Sequence, residues 1–266
     1  MIVVSYPDAV IIGILQGFIE WLPISSEGNI VLLLMSIFNL HPHNAVQYAL
    51  FLHLGTGVAA SIYFRNEIRE LAYAKTDETK NLRTQLIIIT LTTGIVGLPI
   101  WILLELSSSF GESLLALTGI ALIITGLIQL TTKVFKGKKI DELTISDSIV
   151  LGVTQGLAII PGLSRSGITS SFLLFRGFSG EDSFRISFLM SIPASFGAAA
   201  LVLMFNGYHL TLYALISLVA ALIVGLITID VLIKMVKKIS FWKLCITLGL
   251  IAVLSYGSSF LVCNLV

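Results

Sequence analysis

The sequence predicts an all-α polytopic membrane protein of six transmembrane helices plus two re-entrant helix-loop-helix hairpins, arranged as an inverted-topology repeat. Three observations predict it. Of 266 residues, 56% are hydrophobic and 12% charged, about half the charged share of a soluble globular domain. Six segments approach the ~20 apolar residues that a helix needs to cross a hydrocarbon core. Two further regions, apolar at both ends and polar in the middle, recur at a fixed offset along the chain.

The mean hydropathy is +0.99, and the long unbroken apolar runs exclude a β-barrel, whose strands would alternate in polarity. A net charge of +1, from 16 basic and 15 acidic residues, gives no pull toward nucleic acid. The expected spans are residues 46–64, 84–104, 113–132, 186–205, 212–231 and 244–262, and residues 1–266 read as a single integral membrane domain. The N-terminus lacks a basic region and a small-residue cleavage site, so it is expected to be mature sequence. Cys245 and Cys263, on one expected helix, lie about 27 Å apart, too far to pair with each other.

The broken regions are residues 8–38 and 147–176, interrupted at "EWLPISSEGN" and "IIPGLSRSG". Each flank makes roughly 18–22 Å of helix, too short for a core ~30 Å thick, so both are expected to dip in and return. Basic residues agree. Arg65, Arg69, Lys75, Lys80 and Arg83 fall between the first two spans, Lys133, Lys136, Lys138 and Lys139 after the third, and Lys234, Lys237, Lys238 and Lys243 before the last. With Arg176 and Arg185 they all share one face if both hairpins return to their side of entry. That face is expected to be cytoplasmic, with both termini outside.

Sliding the chain by 139 residues superposes Gly13 on Gly152, Gln16 on Gln155, Gly17 on Gly156, Ser25 on Ser164 and Gly28 on Gly167. Each unit, about 8–132 and about 147–262, holds one hairpin and three spans. An odd number of crossings inverts the second unit, so the hairpins enter from opposite faces and can meet at the midplane.

Gly13, Gln16, Gly17 and Glu20 share one helix face. Ser25 or Ser26 is the expected N-cap of the next helix, beginning at Glu27. In the second hairpin Pro161 and Gly162 make the break, Ser164 is the expected N-cap, and Arg165 follows. Two helix N-termini directed into one buried place form an anion site, and a buried Arg165 suits phosphate through its guanidinium fork. The plainer reading is an Arg165–Glu20 ion pair that only locks the halves together. Ser25, Ser26, Ser164, Ser166 and Thr169 offer hydroxyls as ligands or nucleophile, and Glu20 offers a base or a metal ligand. His53 sits within the first span and either lines the cavity or is satisfied within the bundle.

At these residues the chain resembles the undecaprenyl-diphosphate phosphatase (bacitracin-resistance) family of integral membrane enzymes. "LQGFIEWLPISSEGN" is similar to the family's first motif, "PGLSRSGIT" to its second, and "RISFLMSIP" at 185–193 to the family's "FSFLLAVP"-like spacing. The resemblance implies hydrolysis of a polyprenyl diphosphate lipid to the monophosphate, with a divalent cation, Mg²⁺ or Ca²⁺, at a site opening toward the outer face. By matching position, Glu20 corresponds to the motif's second glutamate, Ser25 and Ser26 to its paired serines, and Ser164, Arg165, Ser166 and Thr169 to the phosphate-binding run. Two positions depart: Gln16 stands where the family usually has its first glutamate, and Asn29 where it has histidine.

The expected catalytic residues are therefore Glu20, Ser26 and Arg165, with Ser26 as nucleophile and Glu20 also as the metal ligand. Gln16, Ser25, Asn29, Ser164, Ser166, Gly167 and Thr169 are expected to bind substrate. The rival reading is a transporter or flippase for a lipid phosphate, which needs the anion site but no base. The oligomeric state, including a homo-oligomer, stays open.

Overall fold

The computed structural model describes residues 5–106, 113–131, 137–204, 210–236 and 241–265. Lys133, Lys136, Lys237, Lys238 and the Cys263 thiol lie outside the described parts. Among the described residues the fold is all-α, as expected. The first hairpin is α1 (Tyr6–Ile19) and α2 (Ser26–Ser36). Then come α3 (Pro42–Tyr63), α4 (Arg65–Tyr73), α5 (Asp77–Leu106) and α6 (Ser113–Thr131). The second hairpin is α7 (Ile145–Leu157) and α8 (Arg165–Phe175), followed by α9 (Gly180–Met204), α10 (Leu212–Val236) and α11 (Trp242–Leu265). Among the described residues five helices, α3, α5, α6, α9 and α10, are long and apolar enough to cross a membrane.

The hairpin helices start on matching devices. Ser5 Oγ accepts from Asp8 N–H while the Asp8 carboxylate accepts from Ser5 N–H, and Pro7 fits the first turn. Thr144 and Asp147 form the same reciprocal cap on α7. With 14 and 13 residues, α1 and α7 are each about 20 Å long.

Boundaries differ from expectation where charge obscured helix. Residues 65–83 read as a solvated loop, yet they contain α4 and the first turns of α5. Asp77 and Glu78 sit in that first turn, where the helix dipole favours acid. Likewise α9 begins at Gly180 rather than 186, because Ser179 Oγ accepts from Asp182 N–H at 3.1 Å.

Packing exchanges the two halves. α1 lies along α10, where a Cβ at Gly13 would sit 2.2 Å from Ser217 O and one at Gly17 2.8 Å from Gly225 N. α7 lies along α5 in the same way: a Cβ at Gly152 would sit 2.8 Å from Ile89 O, and one at Gly156 3.0 Å from Gly97 N. α6 and α11 meet reciprocally, Gly119 against Gly249. Such glycine contacts let backbones approach closely, which matters in lipid because burial there brings no hydrophobic gain. The α1–α10 and α5–α7 seams each also carry a hydroxyl bond, Ser217 Oγ to Ala9 O at 2.6 Å and Thr93 Oγ1 to Gly152 O at 3.3 Å.

Candidate active site

Both hairpins break where their sequence removes helical hydrogen bonding. α1 ends at Ile19 with Glu20 as its C-cap, and the chain turns through Pro23 to Ser25. Ser25 has φ 60°, left-handed and costly for a residue with a Cβ, by about 1–3 kcal/mol. Its hydroxyl accepts from Gly28 N–H at 3.3 Å, so α2 is capped by the residue that carries the strain. In the second break Gly162 takes φ +100°, and Ser164 Oγ accepts from Gly167 N–H at 3.1 Å.

One helix ties both breaks. On α6, Thr125 Oγ1 donates to Gly162 O at 3.3 Å and accepts from Ser164 N–H at 3.1 Å. One turn on, Gln129 donates to Pro23 O. The loops cross at glycine, since a Cβ on Gly28 would lie 2.7 Å from Gly162 N. Ser166 Oγ then donates across to Leu22 O at 3.2 Å. The N-termini of α2 and α8 are thereby brought side by side, with the N–H groups of their first residues outside the helical ladder.

Glu20 lies at this junction, its side chain 2% exposed. Oε1 accepts from an Arg165 guanidinium nitrogen, pairing the two hairpins. Oε2 accepts from Ser26 Oγ at 2.6 Å and Gln16 Nε2 at 2.9 Å, and His53 Nε2 stands 3.4 Å away. His53 Nδ1 is 2.9 Å from Ala49 O, so that nitrogen carries a proton and Nε2 is the one facing the carboxylate. Arg165 also reaches Ser187 O at 3.4 Å.

Glu20, Ser26, His53 and Arg165 line the floor of a cavity of about 400 Å³. Its polar lining includes Glu20, Ser25, Ser26, Glu27, His53 and Arg165, and its walls are apolar, including Leu50, Leu98, Ile159 and Leu201. Glu27 is buried, and its Oε1 has no hydrogen-bond partner among the described residues.

Of the expected site residues, Glu20, Ser25, Ser26, Ser164, Arg165 and Ser166 share this cavity. Gln16, Asn29, Gly167 and Thr169 lie behind its wall. Gln16 holds Glu20, and Asn29 Nδ2 donates to Ile24 O at 2.6 Å and Ser25 O at 2.8 Å. Gly167 contributes its N–H to Ser164, and Thr169 Oγ1 lies 2.7 Å from both Arg165 O and Ser187 Oγ. His53, which the sequence places either in the cavity lining or satisfied within the bundle, lines the cavity, as does Glu27, the lesser candidate beside Glu20 for proton transfer. The available signal for His53 was its place as the one histidine inside an expected span.

A polytopic helical membrane protein with a buried arginine and paired hydroxyls between two broken helices is the class that this fold and site define. The chain belongs to the family of bacitracin resistance protein BacA, whose model matches residues 9–252. It is 40% identical over 253 residues to an undecaprenyl-diphosphatase of Haloarcula marismortui, covering 91% of this chain and 93% of the relative. An undecaprenyl-diphosphatase of Methanococcoides burtonii is 41% identical over 265 residues, covering 94% and 98%. One of Sulfurisphaera tokodaii is 37% identical over 257 residues, covering 92% and 95%.

Proposed function

We propose that the chain is an integral membrane phosphatase that hydrolyses undecaprenyl diphosphate, or a similar polyprenyl diphosphate carrier, to the monophosphate and inorganic phosphate. The observation that carries this reading is the Glu20 carboxylate held between Ser26 Oγ at 2.6 Å and the Arg165 guanidinium on the floor of an apolar-walled cavity. The relatives named as diphosphatases support it, and none is named as a transporter.

Arg165 has five N–H donors in a fixed fork, so it can hold Glu20 and still offer donors to the terminal phosphate. The unladdered N–H groups of α2 and α8 add partial positive charge at the same place. Ser26 Oγ attacks the terminal phosphorus; the new O–P bond forms as the bridging O–P bond breaks, and the lipid monophosphate leaves with that electron pair. The hydroxyl proton passes to Glu20 Oε2. Arg165 and the helix ends stabilise the charge spread over the transferring phosphoryl oxygens. Water then attacks the phosphoserine, its O–P bond replacing the Ser26 bond, and Ser26 Oγ takes back a proton.

His53 completes this proton path. With Nδ1–H held by Ala49 O, Nε2 faces Glu20 Oε2 and is placed to relay the proton that Ser26 gives up, so α3 supplies the imidazole that Asn29 does not.

Among the described residues no group of three His, Cys, Asp or Glu is arranged to hold a metal. The orphaned Glu27 Oε1 does fit a hard cation of the Mg²⁺ or Ca²⁺ kind, held by one or two carboxylates together with substrate phosphates. Glu27 is the freer donor, because Glu20 already receives Arg165, Gln16 and Ser26. Such a cation supplies neutralisation of phosphate charge when bound.

In the membrane, α11 forms the sixth span, both hairpins re-enter, and the basic loops face the cytoplasm with both termini outside. The exchanged packing of α1 on α10 and α7 on α5 supports this arrangement. Reagent access to Lys75→Cys and Lys234→Cys from the same side of sealed vesicles is the expected result. For the activity, purified protein in detergent should release inorganic phosphate from undecaprenyl diphosphate with Mg²⁺ or Ca²⁺. Binding without release under every cation tested removes the proposal.

A further inference from the structure

The exchanged packing makes two helix seams counterparts, α3 with α10 and α9 with α5, and they differ in one respect. Gly225 and Gly97 are equivalent, because Gly17 rests on the first and Gly156 on the second. Gly57 and Ser195 are equivalent, because they face each other where α3 crosses α9.

Two residues before Gly57, a Cβ at Gly55 would meet Leu218 O at 2.5 Å and Leu222 N at 3.3 Å. The α3–α10 seam is closed backbone to backbone. The equivalent positions on the other seam are Pro193, two before Ser195, and Gly94, three before Gly97 as Leu222 is three before Gly225. Both line the cavity instead. A Cβ at Gly94 would meet nothing within 4 Å, and the same holds for Gly197 one turn beyond Pro193. Leu98 and Leu201 extend this opening along α5 and α9, and its floor is the pocket with Arg165 and the unpartnered Glu27 Oε1.

Resting on the diphosphatase reading, we propose that the open α5–α9 seam holds the first isoprene units of the substrate chain, and that Gly94 and Gly197 set which chains fit. An apolar groove continuous with an anion pocket matches a molecule that is hydrocarbon at one end and diphosphate at the other. The tail leaves one apolar medium for another, so hydrophobicity contributes little and shape decides. A branched polyprenyl chain carries a methyl on every unit, and two glycines facing open space leave room for them.

The test is Gly94→Phe and Gly197→Phe, positions where an added Cβ meets no atom within 4 Å, so the backbone need not move and folding should survive. Phosphate release is compared, in the same detergent and cation, for undecaprenyl diphosphate and for methyl diphosphate, whose one-carbon chain carries no isoprene unit to place in the seam. Expected is a fall of at least about tenfold in kcat/KM for the long chain, the range in which apolar pockets discriminate, with less than about threefold change for the short one. Equal losses on both substrates, or no loss on either, overturn the proposal. If wild-type protein releases no phosphate from any diphosphate, the diphosphatase reading fails first. The seam is then read by photocrosslinking a polyprenyl phosphate with a diazirine in its first units. Labelling of α5 and α9 peptides supports the seam, and labelling elsewhere overturns it.

Discussion

Replacing Glu20 and Arg165 singly and together separates a structural lock from a catalytic pair. Glu20 is 2% exposed and Arg165 15%, so either single substitution leaves a buried charge facing a neutral partner. Such a break costs about 3–5 kcal/mol, whereas replacing both members with neutral groups of similar volume is often close to neutral. Glu20→Gln and Arg165→Met should each lower the detergent unfolding temperature, and the double variant should recover most of it. Turnover should not recover. Loss of the proton acceptor costs roughly 10²–10⁴-fold and loss of the guanidinium about 10²–10³-fold. Phosphate release and thermal unfolding on the same four proteins give both numbers. Full turnover in Glu20→Gln, or a double variant that regains activity along with stability, would refute the reasoning and leave the pair as a clamp alone.

His53→Gln should cut turnover about 10²-fold while leaving unfolding within about 1 kcal/mol of wild type, measured by phosphate release and melting; unchanged turnover removes His53 from the proton path. Glu27→Gln should raise the Mg²⁺ or Ca²⁺ concentration for half-maximal activity by about tenfold or more, read from a cation titration after chelator treatment. Asp147 gives a pH test outside the spans. Burial raises its carboxyl, but hydrogen bonds from Thr144 and Arg176, the latter at 2.5 Å, outweigh that and hold it below the ordinary aspartate range. The stability it contributes is therefore complete above the unfolded aspartate value and lost as pH falls through the folded one. Asp147→Asn should cost about 1 kcal/mol at neutral pH and flatten the acid limb of a melting-temperature profile; an unchanged acid limb contradicts the assignment.

The candidate site was legible because its residues are anomalies in their setting. Glu20 and Arg165 are charges within apolar flanks, Pro23 and Gly162 interrupt helices too short to span, and Ser164 stands where a cap must be. Asn29, Gly167 and Thr169 were expected at the phosphate, yet all lie within one or two turns of a helix start, where unladdered backbone groups compete for polar side chains. Asn29 serves two carbonyls of the break and Thr169 serves Arg165 O. His53 was visible as an oddity, but its direction depends on how α3 is rotated against α1, and α3 is too uniformly apolar for periodicity to fix that. The charge-rich 65–83 segment hid α4 because solvated helix and solvated loop share a composition.

The exchanged seats also set when the site can come into being. α7 emerges after α5 and can dock at once, whereas α1 docks against α10, and its Ala9–Ser217 bond joins residues 208 apart. The bend carrying Glu20 meets α6 through Gln129 midway along the chain, but α1 lacks the neighbour its glycines fit until α10 is made. The two related hairpins therefore reach their helix seats at different stages of synthesis, the Arg165 hairpin as soon as it follows α5 and the Glu20 hairpin only once α10 is made.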